Sequence, residues 1–170
     1  MSKTKIKEIV DYWSVRKDET NLSIDWVDAH ERCWRCGYKT KLQKCHITPA
    51  SLGGTDSPSN LVLLCSRCHR EGPNIKNPKF MWIWIHAHAT PLYETFWSIR
   101  GEKEFEKMFG RKPFSNIDND SVSTKDLESL GRAAMNSAIV HFGEGHMNPS
   151  TIACILYEVE KNIQKNYKSD

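Results

Sequence analysis

The chain has 170 residues, which suffices for one domain or for a small domain with a helical extension. Its 26% charged and 39% hydrophobic residues are ordinary for a globular protein, and the net charge of +3 alone indicates no class of partner. The densest apolar run, at 80–89, is too short to cross a membrane, and no apolar core of signal-peptide length follows the basic N-terminus. We therefore expect a cytoplasmic protein without a membrane partner.

Residues 1–30 predict an N-terminal helical segment. Apolar residues at helical spacing indicate an amphipathic helix over 3–17. Ser23 is placed to cap a second helix over 23–33, because its hydroxyl can accept a hydrogen bond from the first turn. We interpret the aromatic residues of both stretches as core that supports the module that follows.

Two Cys-x-x-Cys pairs bound the next segment. In a chain without a secretion signal, this spacing favours a metal site over disulfide bonds. Four thiolates in two pairs predict a closed, structural Zn²⁺ site formed by Cys33, Cys36, Cys65 and Cys68. Gly37 lets the backbone turn sharply after the first pair. The ion would join the two ends of a segment whose own core is too small to be stable alone.

Between the pairs the sequence predicts a strand, a loop, a second strand and a helix. The strands are expected at 41–47 and 61–64, and the short helix at 66–71. Glycines and a proline mark the loop at 50–60 as irregular.

The same segment is locally basic. Residues 31–70 carry seven lysines and arginines against two acids, a local charge of +5. This distribution fits contact with a polyanion, and a solvated basic face is the alternative. The candidate phosphate contacts in nucleic acid are Arg35, Lys39, Lys41, Lys44, Arg67 and Arg70.

Three polar residues of this segment stand in a recognisable order. His46 lies in a His-Ile-x-Pro sequence, a Gly-Gly loop follows, Asn60 opens an Asn-Leu-Val-Leu-Leu-Cys stretch, and His69 follows Cys68. Together these motifs resemble the HNH endonuclease superfamily in its zinc-ribbon-bearing form, over about residues 31–74. The resemblance implies a ββα-metal module that binds one divalent ion and cuts DNA. It also implies that His46 is the general base, that Asn60 holds its loop and that His69 binds the catalytic ion.

The chemistry of these side chains agrees with that resemblance. A neutral imidazole can deprotonate water near neutral pH, and Mg²⁺, Mn²⁺, Ni²⁺ or Zn²⁺ can neutralise charge on the scissile phosphate. An asparagine amide can satisfy loop backbone groups without adding charge. Taken singly, each residue also has another interpretation: His46 as a strand histidine, Asn60 as a turn residue, and His69 as a fifth candidate zinc ligand or an exposed helix residue.

The chain departs from the family pattern beside the general base. The family usually supplies a carboxylate or a histidine there as a further metal ligand, whereas Cys45 precedes His46 in this chain. Cys45 is therefore the candidate second ligand of the catalytic ion, and buried packing is its alternative role. Many family members also carry a second histidine one turn after His69; in this chain Glu71 or Asn74 could substitute for it.

The C-terminal residues, 77–170, predict a helical region. Helices are expected over 80–89 (buried on nearly all sides), 91–101, 102–109, 124–142 and 149–165, with a polar linker at 111–123. Gly101 is expected to end one helix, Ser123 or Thr124 to cap the next, and Asn148-Pro149 to start the last. Their apolar stripes are interpreted as core, or as a docking face for a second copy or a regulatory partner.

These observations predict a mostly helical α+β protein with a zinc-stapled HNH module at 31–76. The predicted function is a metal-dependent endonuclease acting on DNA, with a structural zinc and one catalytic divalent ion. The alternative is a non-catalytic zinc module that binds nucleic acid or protein. A third possibility is a nuclease that a ligand or partner on the C-terminal helices controls.

Overall fold

The computed structural model describes residues 3–117, 122–140 and 146–167. The chain divides into two compact units, Met1–Phe96 and Trp97–Asp170. The predicted α+β class is confirmed, since the described residues form six α-helices and one two-stranded antiparallel sheet. None of the described helices is both long and apolar enough to cross a membrane.

The helices and strands are α1 (Ile6–Ser14), β1 (Gln43–His46), β2 (Leu61–Leu64), α2 (Ser66–Glu71), α3 (Lys79–His86), α4 (Phe96–Phe109), α5 (Thr124–Asn136) and α6 (Pro149–Tyr167).

Tryptophan side chains form much of the core of the first unit. Trp13 of α1 meets Trp82 of α3 edge to face, with ring centroids 4.6 Å apart. Trp34 stacks on the same indole at 6.4 Å, and its Nε1 donates to the carbonyl of Ala29 at 2.9 Å. The interpretation of the N-terminal aromatic residues as supporting core is confirmed for Trp13, which is 9% exposed.

The predicted second helix, over 23–33, is not formed. Residues 26–31 form successive hydrogen-bonded turns instead. Ser23, the predicted cap, is buried; its hydroxyl donates to the carbonyl of Arg35 at 2.7 Å and accepts from the N–H of Thr90 at 3.0 Å. These long-range contacts occupy the hydroxyl that a helix cap would need, so the prediction of a capped helix is wrong.

The strand, loop, strand and helix predicted between the cysteine pairs are confirmed. In the antiparallel pair, Gln43 lies opposite Leu64 and His46 opposite Leu61. All four residues of β2 are buried, and α2 contacts both strands. This ββα unit, with the loop between its strands, carries His46, Asn60 and His69.

Helix α3 differs from its prediction in burial. Met81 and Ile85 are buried, but Phe80 is 46% exposed and Ile83 60% exposed. The expectation that 80–89 is buried nearly all round is therefore wrong, because only one face of this short helix packs against the core.

Helix α4 replaces the two helices predicted at 91–101 and 102–109. It begins at Phe96 and continues through Gly101, so the prediction that this glycine ends a helix is wrong. The side chain of Ile152 packs directly on Gly101, where an added β-carbon would lie 2.2 Å from Ile152 Cγ2. The glycine is a close-packing position and not a helix end.

The last two helices begin at their predicted caps. Ser123 Oγ accepts from the N–H of Asp126 at 3.2 Å, and Asn148 Oδ1 accepts from the N–H of Thr151 at 2.8 Å. Their apolar stripes contribute to the core of the second unit, which contains Val122, Ala134, Val159 and Ile163.

Helix α5 ends at Asn136, earlier than the predicted end near Phe142. Residues 141–145, which include the predicted end of this helix, and residues 168–170 lie outside the described residues.

Two helical glycines provide a matched test of packing in the second unit. We expect Gly101→Ala to lower the free energy of unfolding by about 1 to 3 kcal/mol, because the new methyl group overlaps Ile152. Gly131→Ala should raise it by about 0.5 to 1 kcal/mol, because no atom lies within 4 Å of the new group and alanine favours a helix. Urea unfolding of both variants measures the difference; equal effects would contradict the close contact.

Candidate active site and metal centre

The four paired cysteines converge on one point. The sulfur atoms of Cys33, Cys36, Cys65 and Cys68 all lie within 4.8 Å of one another, and all four residues are buried. Among the described residues, this is the only group of three or more potential metal ligands. The pKa of Cys65 is lowered because the other three thiols, Cys33 foremost, can donate hydrogen bonds to its thiolate. The cluster is compatible with the predicted structural zinc.

Two tight backbone arrangements bring the cysteine pairs together. In the first, the N–H of Gly37 donates to the carbonyl of Cys33 at 2.8 Å, and Gly37 has a φ of 73°. This left-handed conformation favours glycine, as predicted. The N–H of Trp34 donates to the carbonyl of Leu63 at 3.0 Å, which ties this turn to β2. In the second arrangement, Cys65 precedes α2 directly.

Arg35 is buried beside the cysteine cluster and does not lie on the surface. It is 1% exposed, its Nη1 lies 3.6 Å from Cys68 Sγ, and the same nitrogen lies 2.6 Å from Glu71 Oε2. Its guanidinium stacks over Trp84 at 4.1 Å and over Phe96 at 5.0 Å. An enclosed guanidinium cannot contact a phosphate, so the predicted role of Arg35 in nucleic-acid binding is corrected to a structural one. A cation beside a thiolate offsets the negative charge of a four-cysteine metal centre.

Asn60 holds the loop between the strands through both ends of its amide. Its Oδ1 accepts from the N–H of Thr48 at 2.9 Å, and its Nδ2 donates to the carbonyls of Thr48 at 3.0 Å and Thr55 at 2.9 Å. A β-carbon on Gly54 would lie 1.8 Å from the carbonyl oxygen of Thr48, so only glycine fits where the loop crosses itself. Asn60 therefore fixes the backbone directly after His46.

His46 contacts a carboxylate from that loop. Its Nε2 lies 2.7 Å from Asp56 Oδ1, and the imidazole side chain is 29% exposed. Because a carboxylate accepts hydrogen bonds, Nε2 carries the proton, which leaves Nδ1 as the basic nitrogen. No described residue makes a hydrogen bond to Nδ1. Asp56 thus fixes the orientation of the imidazole through Nε2, and Nδ1 is available to act as a base.

The imidazole of His69, on α2, is likewise oriented by one hydrogen bond, here to the side-chain amide of Gln43. Its Nδ1 lies 2.7 Å from Gln43 Oε1, so Nδ1–H donates and Nε2 keeps its lone pair. Burial lowers the pKa of His69 below its usual value, and the neighbouring His46 lowers it further. A neutral imidazole whose second nitrogen is held by a hydrogen bond is the form that binds metal ions.

Cys45 does not join His69 in a ligand cluster. It is 4% exposed, and burial raises the pKa of its thiol to about 12, with a further contribution from Cys33. Among the described residues, Cys45 belongs to no group of three or more potential metal ligands. The alternative role, buried packing, accounts for it. Glu71 is likewise engaged, because it pairs with Arg35 and Arg67.

The remaining candidate phosphate contacts differ in their surroundings. Lys39 and Lys41 are exposed, and Lys39 pairs with Glu31 at 2.8 Å. Lys44 donates to the carbonyl of Thr4 at 2.9 Å, and the Nε of Arg67 lies 3.7 Å from Glu71. Arg70 is exposed.

Two site residues were not found from the sequence. In the sequence Asp56 contributes only to the local charge, and Gln43 lies inside the predicted strand at 41–47 with no assigned role. A carboxylate in the loop that asparagine fixes, ten residues after His46, was the available signal for the first. No sequence signal indicated that Gln43 would reach His69 from the neighbouring element.

A comparison with known families supports the assignment of this segment. Residues 31–72 match the model of the family described as HNH endonuclease. The resemblance inferred from the motifs is therefore confirmed for this quarter of the chain, and helices α1 and α3 to α6 lie outside the match. No curated protein and no solved structure matches the chain.

Metal content tests the assignment of the cysteines. We expect the purified chain to hold about one zinc ion, and Cys36→Ala to lose it with part of the folded structure of the first unit. Cys45→Ala should keep its zinc, as should the control Cys154→Ala, which changes an exposed thiol. Elemental analysis and circular dichroism measure both properties. Loss of zinc in Cys45→Ala would show that Cys45 helps to hold the structural zinc.

Proposed function

We propose that the chain is a metal-dependent HNH endonuclease that hydrolyses phosphodiester bonds in DNA. The observation that carries the proposal is the loop fixed by Asn60, which holds His46 against Asp56 within electrostatic range of His69. This arrangement lies inside the segment that matches the family model. The basic character of the same segment favours an anionic polymer as the substrate.

In this proposal His46 is the general base. Asp56 accepts a hydrogen bond from Nε2–H, so Nδ1 can take a proton from the attacking water. When the imidazole becomes positively charged, the carboxylate of Asp56 stabilises that charge. Asp56 is thus a positioning residue that acts through His46, and Asn60 positions the backbone that follows it.

The catalytic divalent ion would be held by His69. Its Nε2 is the available donor, and Gln43 fixes the tautomer that makes it one. A bound ion supplies charge neutralisation at the scissile phosphate and at the leaving oxygen. An imidazole donor suits nickel or zinc better than magnesium.

Plasmid cleavage by the full chain tests the function. With Mn²⁺ or Ni²⁺ we expect nicking or cutting by the wild type, and a rate lower by about 10² to 10⁴ in His46→Ala, the range that loss of a general base produces. His69→Ala should lose both cleavage and the response to added metal.

The matched control is His30→Ala, which removes an exposed imidazole whose Nδ1 contacts only the carbonyl of Val27 in its own turn. It should cleave like the wild type. Equal residual cleavage in wild type, His46→Ala and His69→Ala, with zinc content and fold intact, would refute the nuclease.

The role of Asp56 has a separate test. Asp56→Asn keeps the size of the side chain but removes the charge that stabilises protonated His46. We expect kcat to fall roughly ten- to a hundredfold with little change in KM, less than in His46→Ala. Nitrogen NMR of the imidazole should also show a changed tautomer balance. Unchanged kcat with an unchanged tautomer would contradict this role.

One observation favours a second candidate, a zinc module that binds nucleic acid without cutting it. The position before His46 holds a buried thiol, so the catalytic ion has one identified protein ligand, His69. Calorimetric titration of Mn²⁺ into the zinc-loaded chain separates the two functions. Binding that His69→Ala abolishes favours the nuclease; no binding, together with retained DNA affinity, favours the second candidate.

A further inference from the structure

Helix α1 contacts the loop between β1 and β2, which carries Asp56 and Asn60 and is called the catalytic loop below. The helix itself lies outside the segment that matches the family model. The indole Nε1 of Trp13 donates to the carbonyl of Leu61 at 2.8 Å and to that of Pro58 at 3.1 Å. These two carbonyls flank Asn60, whose side chain fixes the loop. Trp13 is 9% exposed, so its hydrogen bonds are shielded from water. The helix therefore has a fixed position relative to the loop.

The residues before α1 are anchored to the same loop. The hydroxyl of Thr4 donates to the backbone carbonyl of Asp56, and the ammonium group of Lys44 donates to the carbonyl of Thr4 at 2.9 Å. Asp56 thus contacts His46 through its carboxylate and the N-terminal segment through its backbone. Consecutive Cα atoms are 3.8 Å apart, so the residues on either side of Thr4 are held beside this loop.

Those neighbours are the lysines Lys3 and Lys5. Both are exposed, as is Lys7, but Lys7 pairs with Asp11 at 2.7 Å within the helix. The carboxylate of Glu8 accepts from the backbone N–H of Lys5 and caps the helix start. Two lysine side chains therefore project from a segment that is fixed beside the catalytic loop.

We propose that Lys3 and Lys5 form an arm that contacts the phosphate backbone of double-stranded DNA next to the cleavage site. This inference rests on the proposed function, because the loop is the cleavage site only if the chain is a nuclease. The occupant is a duplex backbone, since lysines bind phosphates as point charges without reading the bases. The hydrogen bonds of Thr4 keep the arm beside Asp56, so the contacts form at a fixed distance from His46.

The test is the affinity of the full, zinc-loaded chain for a short fluorescent DNA duplex, measured by anisotropy between about 50 and about 200 mM salt. The Lys3→Ala/Lys5→Ala variant should bind roughly three- to tenfold more weakly at low salt. The slope of its log affinity against log salt concentration should be shallower by about two, as expected for the loss of two phosphate contacts. The control variant Lys103→Ala/Lys125→Ala removes two exposed lysines of the second unit and should keep both values. In cleavage assays, saturating DNA should restore kcat in the arm variant.

Thr4→Val tests whether anchoring matters, because it removes the hydroxyl and keeps every charge. It should weaken DNA binding in the same direction as the lysine variant and by a smaller factor. Wild-type affinity in Thr4→Val would overturn the anchored arm, and wild-type affinity in Lys3→Ala/Lys5→Ala would overturn the contact itself. Equal losses in the arm and control variants would also overturn it, because they would show only a general charge effect.

The arm and the nuclease can fail separately. If the wild type binds DNA but cleaves none, and the arm variant still loses affinity, the proposed function is refuted and the arm is supported as a DNA contact. If the wild type cleaves and the arm variant binds normally, the nuclease stands and the arm is refuted. A wild type that binds no DNA overturns both.

Discussion

The convergence of four buried cysteines is the constraint on which the first unit depends. The two cysteine pairs lie at opposite ends of the ββα segment, and their sulfur atoms meet within 4.8 Å. A short two-stranded sheet with a six-residue helix is too small to be stable by itself. The buried guanidinium of Arg35 extends the centre, because it links Cys68 and Glu71 to the aromatic ring of Trp84. A metal at the cysteines would thus stabilise the helix that carries His69.

The sequence predicted what local residue types control. The cysteine spacing, the left-handed glycine after the first pair and the asparagine before β2 each impose a short-range geometry, and the structure has all three. The sequence did not predict the roles of residues whose contacts are with partners distant along the chain. The local sequence predicts Ser23 as a helix cap, but its hydroxyl makes hydrogen bonds with the backbone of Arg35 and Thr90 instead. The local sequence predicts Gly101 as a helix end, but the structure uses this glycine to let the side chain of Ile152 pack closely on the helix.

The same limit applied within the site. The identities of His46, Asn60 and His69 were available from motif order, but their partners were not. Asp56 and Gln43 reach the two imidazoles from other elements, and each fixes a tautomer. Arg35 shows the reverse error, because a positive charge in a basic segment suggested a surface role, whereas burial gives it a structural one. Charge counts along a chain carry no information on which side chains face solvent.

The site also depends on residues that its own family segment does not contain. Within the span from 31 to 72, the carbonyl of Pro58 would keep the N–H of Leu61 as its donor, but the carbonyl of Leu61 would lose the indole of Trp13. An unpaired carbonyl in a shielded position costs about 1 to 3 kcal/mol, which is a large part of the stability of a small unit. Helix α1 therefore stabilises the loop that orients His46, and it does so from a position fixed beside that loop. Residues before it can contact a substrate bound there without any rearrangement of the fold.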